Sequence, residues 1–583
     1  MRTKIGAISV MLALGIQAYG QSAMGSYNLA QPDMKGTARY MGMAGAFGAL
    51  GGDLTAISQN PGGIGVYRSS DIGFTLDLDL QSSNTREMAL NQGGNWQPFG
   101  QKYSINKTKF LLNNIGAVFT LKLSNDVLPN LNFGFTYNKG ASFNRTYGGN
   151  FNSLQNSMSN YIAYTSEYDE ISEPEVWWND NINPWNPGGD YYAAPWMNIL
   201  AYQAGIVNPD ASPSGGTDWY GLWQEYMNHP GTTGSGSFLM NEQGGTNDFN
   251  IVLGGNLYDK LYWGMNFQIS NINYRLNSYW SEYLDNALYY SGVSKDLEIG
   301  NFNWDYNGAY TMSGTGFSYQ LGLIFKPVQA LRLGFSFHTP TWYSLKEEFY
   351  GQINTHEPGK SFLTMANDGI PGYTNYNMRT PWKILASVAG VVGNKLILSF
   401  DYEWANYGKS RFYEPTYYDG SFYDGPYWDW YSATRAGEVR YGYIDYGNPY
   451  ADINSAISTY YRSTNTFRFG VEFKPINALS IRAGYSHVTS PISKETLDNY
   501  WYVDTSSLSP SYRLDQATNY ITCGLGYRSG HFYVDLAYVY KHMTSDYHAY
   551  TNYPVVSSYD GYSPQSKVSL RNNQIVLSAG YRF

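Results

Sequence analysis

The sequence predicts an all-β protein, a transmembrane antiparallel β-barrel of about fourteen strands. Three observations carry that prediction. Apolar residues recur with a period of two along many segments of about ten residues, as in lipid-facing strands. Short and long connections between those segments alternate along the chain. Charged residues make up only 14% and aromatics 17%, with 58 Tyr and 62 Gly, yet no run after the N-terminus is long and apolar enough for a helical span.

Taken in order, the chain opens with Arg2 and Lys4 before an apolar run from Ile5 to Ile16. Ala18-Tyr19-Gly20 places small residues at −3 and −1, so residues 1–20 read as a signal peptide cleaved before Gln21. No cysteine stands near that site, which excludes a lipidated N-terminus.

The stretch Arg39–Tyr67 comes next, almost uncharged, with Gly42, Gly45, Gly48 and Gly51 at every third position. Asp53 or Thr55 is placed to cap a short helical turn that Asn60-Pro61 ends. So much glycine implies backbone that approaches other backbone closely or takes positive φ, as in a segment threaded into a confined space. The stretch is not a phosphate loop, because no Gly-Lys-Ser/Thr closes it.

The first strand sets Ile72, Phe74, Leu76, Leu78 and Leu80 against Gly73, Thr75, Asp77 and Asp79. The two aspartates are poor occupants of a closed apolar core and suit a wet lumen, with the apolar set facing lipid. The same alternation runs through Leu131, Phe133, Phe135 and Tyr137, through Leu261 to Ile269, and through Phe467, Phe469, Val471 and Phe473. Strands are expected near 70–81, 112–124, 130–143, 247–257, 260–272, 316–326, 330–338, 382–391, 394–404, 464–474, 478–488, 517–528, 531–541 and 572–583.

Short links such as Tyr258-Asp259-Lys260 and Arg528–Gly530 alternate with long loops near 144–246, 273–315, 339–381, 405–463, 489–516 and 542–571. Short turns at one end and long loops at the other are the habit of outer-membrane barrels. LGLIFKPVQALRLGFSF (321–337) echoes FGVEFKPINALSIRAGY (469–485), a hairpin unit recurring. The chain ends on Ile575, Leu577, Ala579, Tyr581 and Phe583, an alternating strand with a terminal aromatic of the kind that the bacterial barrel-assembly machinery reads.

On these residues the chain resembles the outer-membrane long-chain fatty-acid and aromatic-hydrocarbon transporters of FadL/TodX type. The resemblance is carried by Met41–Gly52, by Asp53 to Asn60-Pro61, and by Arg332-Leu333-Gly334 running to His338-Thr339-Pro340. Thr380-Pro381 and Asp401–Trp404 extend it. It implies a fourteen-stranded barrel (69–583) plugged by an N-terminal hatch (21–68), with a turn at a lateral exit. Here that turn reads Asn60-Pro61-Gly62, where the family has Asn-Pro-Ala. The implied activity is passive uptake of small hydrophobic molecules into membrane lipid by a monomer. A surface adhesin or structural barrel is the alternative, favoured by loops rich in Tyr, Asn and Gly.

The four hatch glycines are expected against the inner barrel wall. Lumen-facing Arg332, Arg468 and Arg482 are candidates for pairing with a ligand carboxylate, or else with Asp77, Asp401 or Glu472. Loop 144–246 carries Trp177, Trp178, Trp185, Trp196, Trp219 and Trp223, with a short helix expected near Pro195–Ala204; its aromatics bind a ligand or pack on one another. The seven His form no metal-spaced cluster and no Gly-x-Ser-x-Gly elbow occurs, so neither a metal, a cofactor nor an enzyme is expected. A net charge of −9 without a basic patch excludes nucleic acid as a partner.

Overall fold

The structure, a computed structural model, describes residues 22–583 apart from 32, 91–95, 177–182, 186–193, 212–216, 225–229, 291–296, 358–359, 394, 414–449, 499–502, 504, 506–507 and 554–561. The signal peptide with its cleavage site, Trp177 and Trp178 lie outside the described residues.

The chain is a closed antiparallel barrel of the outer-membrane type. Its strands are β1 (Asp71–Leu90), β2 (Trp96–Lys122), β3 (Asn130–Ser142, continued by Arg145–Phe151), β4 (Thr233–Leu257), β5 (Leu261–Tyr290), β6 (Leu297–Val328) and β7 (Leu331–His338, continued by Trp342–Glu357). They are followed by β8 (Gly372–Arg379 and Lys383–Val392), β9 (Leu396–Asn406), β10 (Ser463–Ile476), β11 (Leu479–Val488), β12 (Tyr512–Ser529), β13 (Phe532–His548) and β14 (Gln565–Arg582). Each pairs with its sequence neighbours, and β14 returns to β1 from Asp71↔Arg582 to Met88↔Gln565, so the sheet has no free edge. Phe583 completes the seam: its N–H and C=O exchange 3.0 Å hydrogen bonds with Ser70. At the short-turn end, Tyr258 and Asp259 both take positive φ (53° and 55°), the geometry of the tightest hairpins.

The strands run well past the expected segments. Residues 273–315, expected as a loop, are mostly an upright hairpin of β5 and β6. The reason is visible along β6. Near the turn, outward Phe317, Tyr319, Leu321, Leu323 and Phe325 are exposed, while inward Ser318, Gln320 and Gly322 are buried. Farther up the faces exchange character: Phe302, Trp304 and Tyr306 are buried inside, and Asn303, Asp305 and Asn307 face out. Lipid requires an apolar exterior only across the membrane; above it water requires a polar one. The alternation therefore persists but reverses, and the membrane edge lies near Ser313–Phe317.

Above that edge the loops form an aromatic core. The helix Trp196–Gln203 appears where a helix was expected, and Met158–Tyr168 adds another. Their buried faces join Trp219, Trp280 and Trp304.

The reversal of faces has a measurable consequence. Leu321→Arg, on the lipid face, is expected to destabilise the folded barrel by about 2–4 kcal/mol. Thr311→Arg, on the same face of the same strand but above the membrane edge, should stay within about 0.5 kcal/mol of wild type. Urea titration in phospholipid vesicles measures both; equal shifts would contradict the assigned edge.

Candidate functional site: the filled lumen

The inner wall at the level of the N-terminal segment carries a set of glycines among small polar residues. Gly254, Gly264 and Gly322 lie side by side on β4, β5 and β6, directly opposite one another in register. A Cβ on Gly264 would collide with the Pro61 carbonyl, and one on Gly322 with the Asn60 side chain. Farther round, Gly334 meets Gly48, while Gly470 and Gly484 meet Met43. Removing the Cβ on that ring lets backbone pack on backbone, and residues 34–67 are almost wholly buried there.

Close approach alone leaves polar backbone groups facing the wall, and inward side chains satisfy them. Asp401 on β9 accepts from the N–H groups of Phe47 (3.0 Å) and Gly48 (2.9 Å). Ser336 donates to the Gln59 carbonyl (2.9 Å), and His338 Nε2 lies 2.8 Å from the same oxygen. Asn132 donates to the Ile64 carbonyl (2.6 Å) and Asn130 to that of Tyr67 (3.0 Å). Thr522 donates to the Gly42 carbonyl at 3.1 Å.

Charges register the segment further. Lys35 pairs with Asp77 at 2.7 Å and Asp79 at 3.6 Å, so the two aspartates that the first strand turns inward have a cation between them. Arg39 bonds Glu472 at 3.1 Å, which also holds Arg482 at 2.7 Å. Asp33 pairs with Lys541 at 2.9 Å. Burial pushes the Asp33 carboxyl up, but the charges of Lys541 and Lys35 outweigh burial and hold it down at about 2.

The expected site residues divide under this geometry. Of the four periodic glycines, Gly48 meets the wall where a Cβ would strike Ser387. Gly42 makes only ordinary contact with Gly524. Gly45 (φ 74°) is needed for its backbone conformation and touches Tyr40 and Arg468. Gly51 (φ 63°) packs on Gly63 of the segment itself, which corrects the expectation that it faces the wall.

Asn60-Pro61-Gly62 opens a short 3-10 helix, Pro61–Val66, with the Asn60 side chain accepting from the Gly62 N–H at 3.0 Å. The β5–β6 ladder it faces is unbroken at Gly264↔Gly322, so the wall is closed at the turn itself, contrary to an exit there.

The β2–β3 ladder is interrupted elsewhere. β2 and β3 pair only from Lys122↔Asn130 to Asn114↔Asn138. Above that, β3 bulges at Gly140 and stays with β4 alone. Asn138, the last paired residue, donates to Ser58 at 3.0 Å, two residues before Asn60. Higher up, Lys107 of β2 bridges to Thr146 (3.1 Å) and Asn241 (2.8 Å). The interval between is a window in the ladder at the level of outward Phe110 and Leu112. A break in hydrogen-bonding partners has no signature in the alternation, so the sequence did not reveal it.

Arg468 pairs with Glu403 at 2.9 Å, and Arg482 with Glu472 and Asp535 (2.5 Å). Arg332 donates to the Leu50 carbonyl at 2.8 Å and is the one of the three with no carboxylate at ion-pair distance among the described residues. Trp196 is 5% exposed, edge-on to Phe349 (4.9 Å) and Trp185 (5.1 Å), and is therefore loop core.

Above these pairs the lumen holds aromatic side chains beside a second charged cluster, Arg145 and Arg513 with Glu242 and Asp515. The short helix Gly25–Ala30 inserts Tyr27 and Leu29 among Phe143, Tyr274, Tyr407 and Tyr461, with Tyr27 4.9 Å from Tyr407 and 5.6 Å from Tyr461. Beside Asp33 and Lys541 a cavity of about 20 Å³ remains, room for roughly one water.

No family model matches the chain, and no curated protein matches it. Among solved structures it is similar to a FadL homologue of Pseudomonas aeruginosa at 13% identity and a TM-score of 0.47, over 95% of this chain and 99% of that one. It is similar also to the toluene transporter TodX of P. putida (11%, TM-score 0.41, 94% and 99%) and the toluene transporter TbuX of Ralstonia pickettii (12%, 0.40, 94% and 99%).

The glycine contact yields a two-sided expectation. Gly48→Leu or Gly322→Leu forces the segment off the wall at a cost of about 1–3 kcal/mol, which a barrel with this much ladder tolerates. Both variants should assemble, and both should admit small polar solutes to proteoliposomes faster than wild type. Swelling rates equal to wild type would mean that the segment does not block the lumen.

Proposed function

We propose that residues 22–67 form a hatch in an outer-membrane barrel that carries small hydrophobic molecules passively from outside into the membrane. The observation that carries this reading is the fit between hatch and wall, backbone against a glycine ring. A segment held so closely makes the lumen selective, and an adhesin has no use for a selective lumen. The resemblance of Met41–Gly52 and His338-Thr339-Pro340 to the fatty-acid and hydrocarbon transporters supports the same reading.

Chemistry favours a hydrophobic cargo. The upper lumen is aromatic where Tyr27 and Leu29 sit. A solute that gains about 25 cal/mol per Å² by leaving water can take their place. Below it, the ion pairs of Lys35, Arg39 and Asp33 make a polar floor that offers such a solute nothing. The route that remains is sideways through the β2–β3 window, beside Ser58 and Asn138, directly into lipid. Arg332 lies below that floor, beside Leu50, and is not placed to take a cargo carboxylate on this route.

The test closes the window without moving the hatch. In a Cys523→Ala background, Lys107→Cys with Thr146→Cys, joined by a short bifunctional thiol reagent, ties β2 to β3. Uptake of long-chain fatty acids or monoaromatic hydrocarbons should fall about tenfold or more on cross-linking, and the unlinked variant should transport near wild-type rates. Undiminished uptake after complete cross-linking would refute the lateral route.

A further inference from the structure

The outer wall is interrupted a second time, on the far side of the barrel. Two neighbouring strands break at proline: β7 at Thr339-Pro340-Thr341 and β8 at Thr380-Pro381. Neither proline has an N–H to give the ladder, and the inward parity of each strand changes across the break. On β7 the buried residues are Gly334 and Ser336 below it but Tyr343 and Leu345 above it. The strands are tied at this point by threonine: Thr341 N–H donates to Thr380 Oγ1 (2.9 Å), and Thr380 N–H to the Thr341 carbonyl (3.1 Å).

The misfit leaves an outward recess of about 390 Å³, lined by Pro340, Thr380, Pro381, Trp382, Trp404 and Asn406, with Arg379 and Lys409 at its rim. Trp382 and Trp404 lie 4.9 Å apart. They continue the lipid-facing rows of Ile384, Val388, Leu398 and Phe400, so they sit where aromatic belts meet the headgroups. Arg379 and Lys409 are on the long-loop side of them.

Among the described residues, the charges above the recess are one-sided. Arg379 lies directly opposite Arg411 in the short ladder between β8 and Arg411–Tyr413. Like charges at such positions repel. Arg411 donates to the carbonyls of Gly408 (2.8 Å) and Ser410 (2.6 Å) and to Ser458 (2.9 Å). Arg379 lies over the Tyr413 ring at 5.6 Å. Among the described residues, none of Arg379, Lys409 and Arg411 has a carboxylate at ion-pair distance.

We infer that this recess is a binding site for a phosphorylated glycolipid of the outer leaflet, with Arg379, Lys409 and Arg411 on its phosphate and Trp382, Trp404, Pro340 and Pro381 against the start of its acyl chains. An apolar recess at headgroup height calls for a lipid, and three cations with no acid paired to them among the described residues call for an anionic one; guanidinium groups grip phosphate in two-point fashion. The site is separate from the lumen and does not depend on transport.

The test uses the full-length protein in detergent, with native mass spectrometry to count retained lipid. Wild type should bind bis-phosphorylated lipid A at least tenfold more tightly than its dephosphorylated form. Lys409→Gln, at an exposed side chain with no hydrogen bond to lose among the described residues, should weaken binding several-fold, and Arg379→Gln with Arg411→Gln should abolish the preference for phosphate. Trp404→Leu should weaken both lipids. Heat-modifiable gel mobility confirms that each variant is folded. Equal binding of the two lipid forms by wild type would overturn the assignment, as would unchanged binding in the Lys409 variant. Full displacement of lipid A by millimolar inorganic phosphate would also overturn it, because the recess would then hold a phosphate and no lipid.

Discussion

The structure depends on backbone meeting backbone without a Cβ between. Gly264 of β5 against the Pro61 carbonyl and Gly322 of β6 against Asn60 bring a folded segment within van der Waals reach of a barrel wall. Once that contact is made, inward polar residues become obligatory. Asp401, Ser336, Asn132 and Thr522 each serve a backbone group of the segment that has lost water. An inward Leu at any of these places would leave an unpaired N–H or C=O, at about 1–3 kcal/mol each. Glycine and small polar residues thus alternate on the inner face for one joint reason.

The exterior obeys a different constraint, and the two meet along each strand. Lipid fixes the outward face only between the short turns and the level of Ser313–Phe317 on β6. Above it the extended hairpins turn their aromatic side inward and enclose Trp280, Trp304 and the loop helices. The barrel is therefore two proteins in sequence logic: a membrane section with a polar interior, and a water-exposed section with an apolar one.

That division explains what was legible in the sequence. The fourteen strands were readable where lipid enforces alternation, and their connectivity followed from the short links. Their upper halves were not: a strand such as 297–312 still alternates, but with Phe302, Trp304 and Tyr306 on the face that was polar below, so the residues looked like loop. Gly264 and Gly470 fall between the apolar residues of their strands, which marks them as inward positions and says nothing of why they are glycine. What makes them glycine is a partner far away in the chain, Pro61 for Gly264 and Met43 for Gly470, and no local pattern records that. The periodic glycines misled at Gly51 for the same reason, since their spacing follows the turns of the segment and not its distance from the wall. Trp196 could be named as a notable aromatic from composition, but only the fold shows Phe349 and Trp185 beside it.

The distribution of charge along the N-terminal segment divides it into two parts with different duties. The Asp33 and Lys35 side chains are buried, that of Arg39 is partly buried, and each has an opposite charge from the wall. Buried pairs of this kind contribute little net stability, because desolvation offsets attraction, but each penalises any other position heavily. They act as registration points that hold residues 33–67 in one place. Gly25–Ala30, above them, carries no charge and packs on the wall through Tyr27, Leu29 and Ala30, while Met24 at its start accepts a 2.7 Å hydrogen bond from the Tyr461 hydroxyl. Its contacts are mostly apolar, so an apolar molecule of similar size can replace them at the cost of the Tyr461 and Arg145 hydrogen bonds to Met24 and Gln31. Under the proposed function, selectivity for hydrophobic cargo follows from this division: the upper part yields to what resembles it, and the charged lower part stays in register.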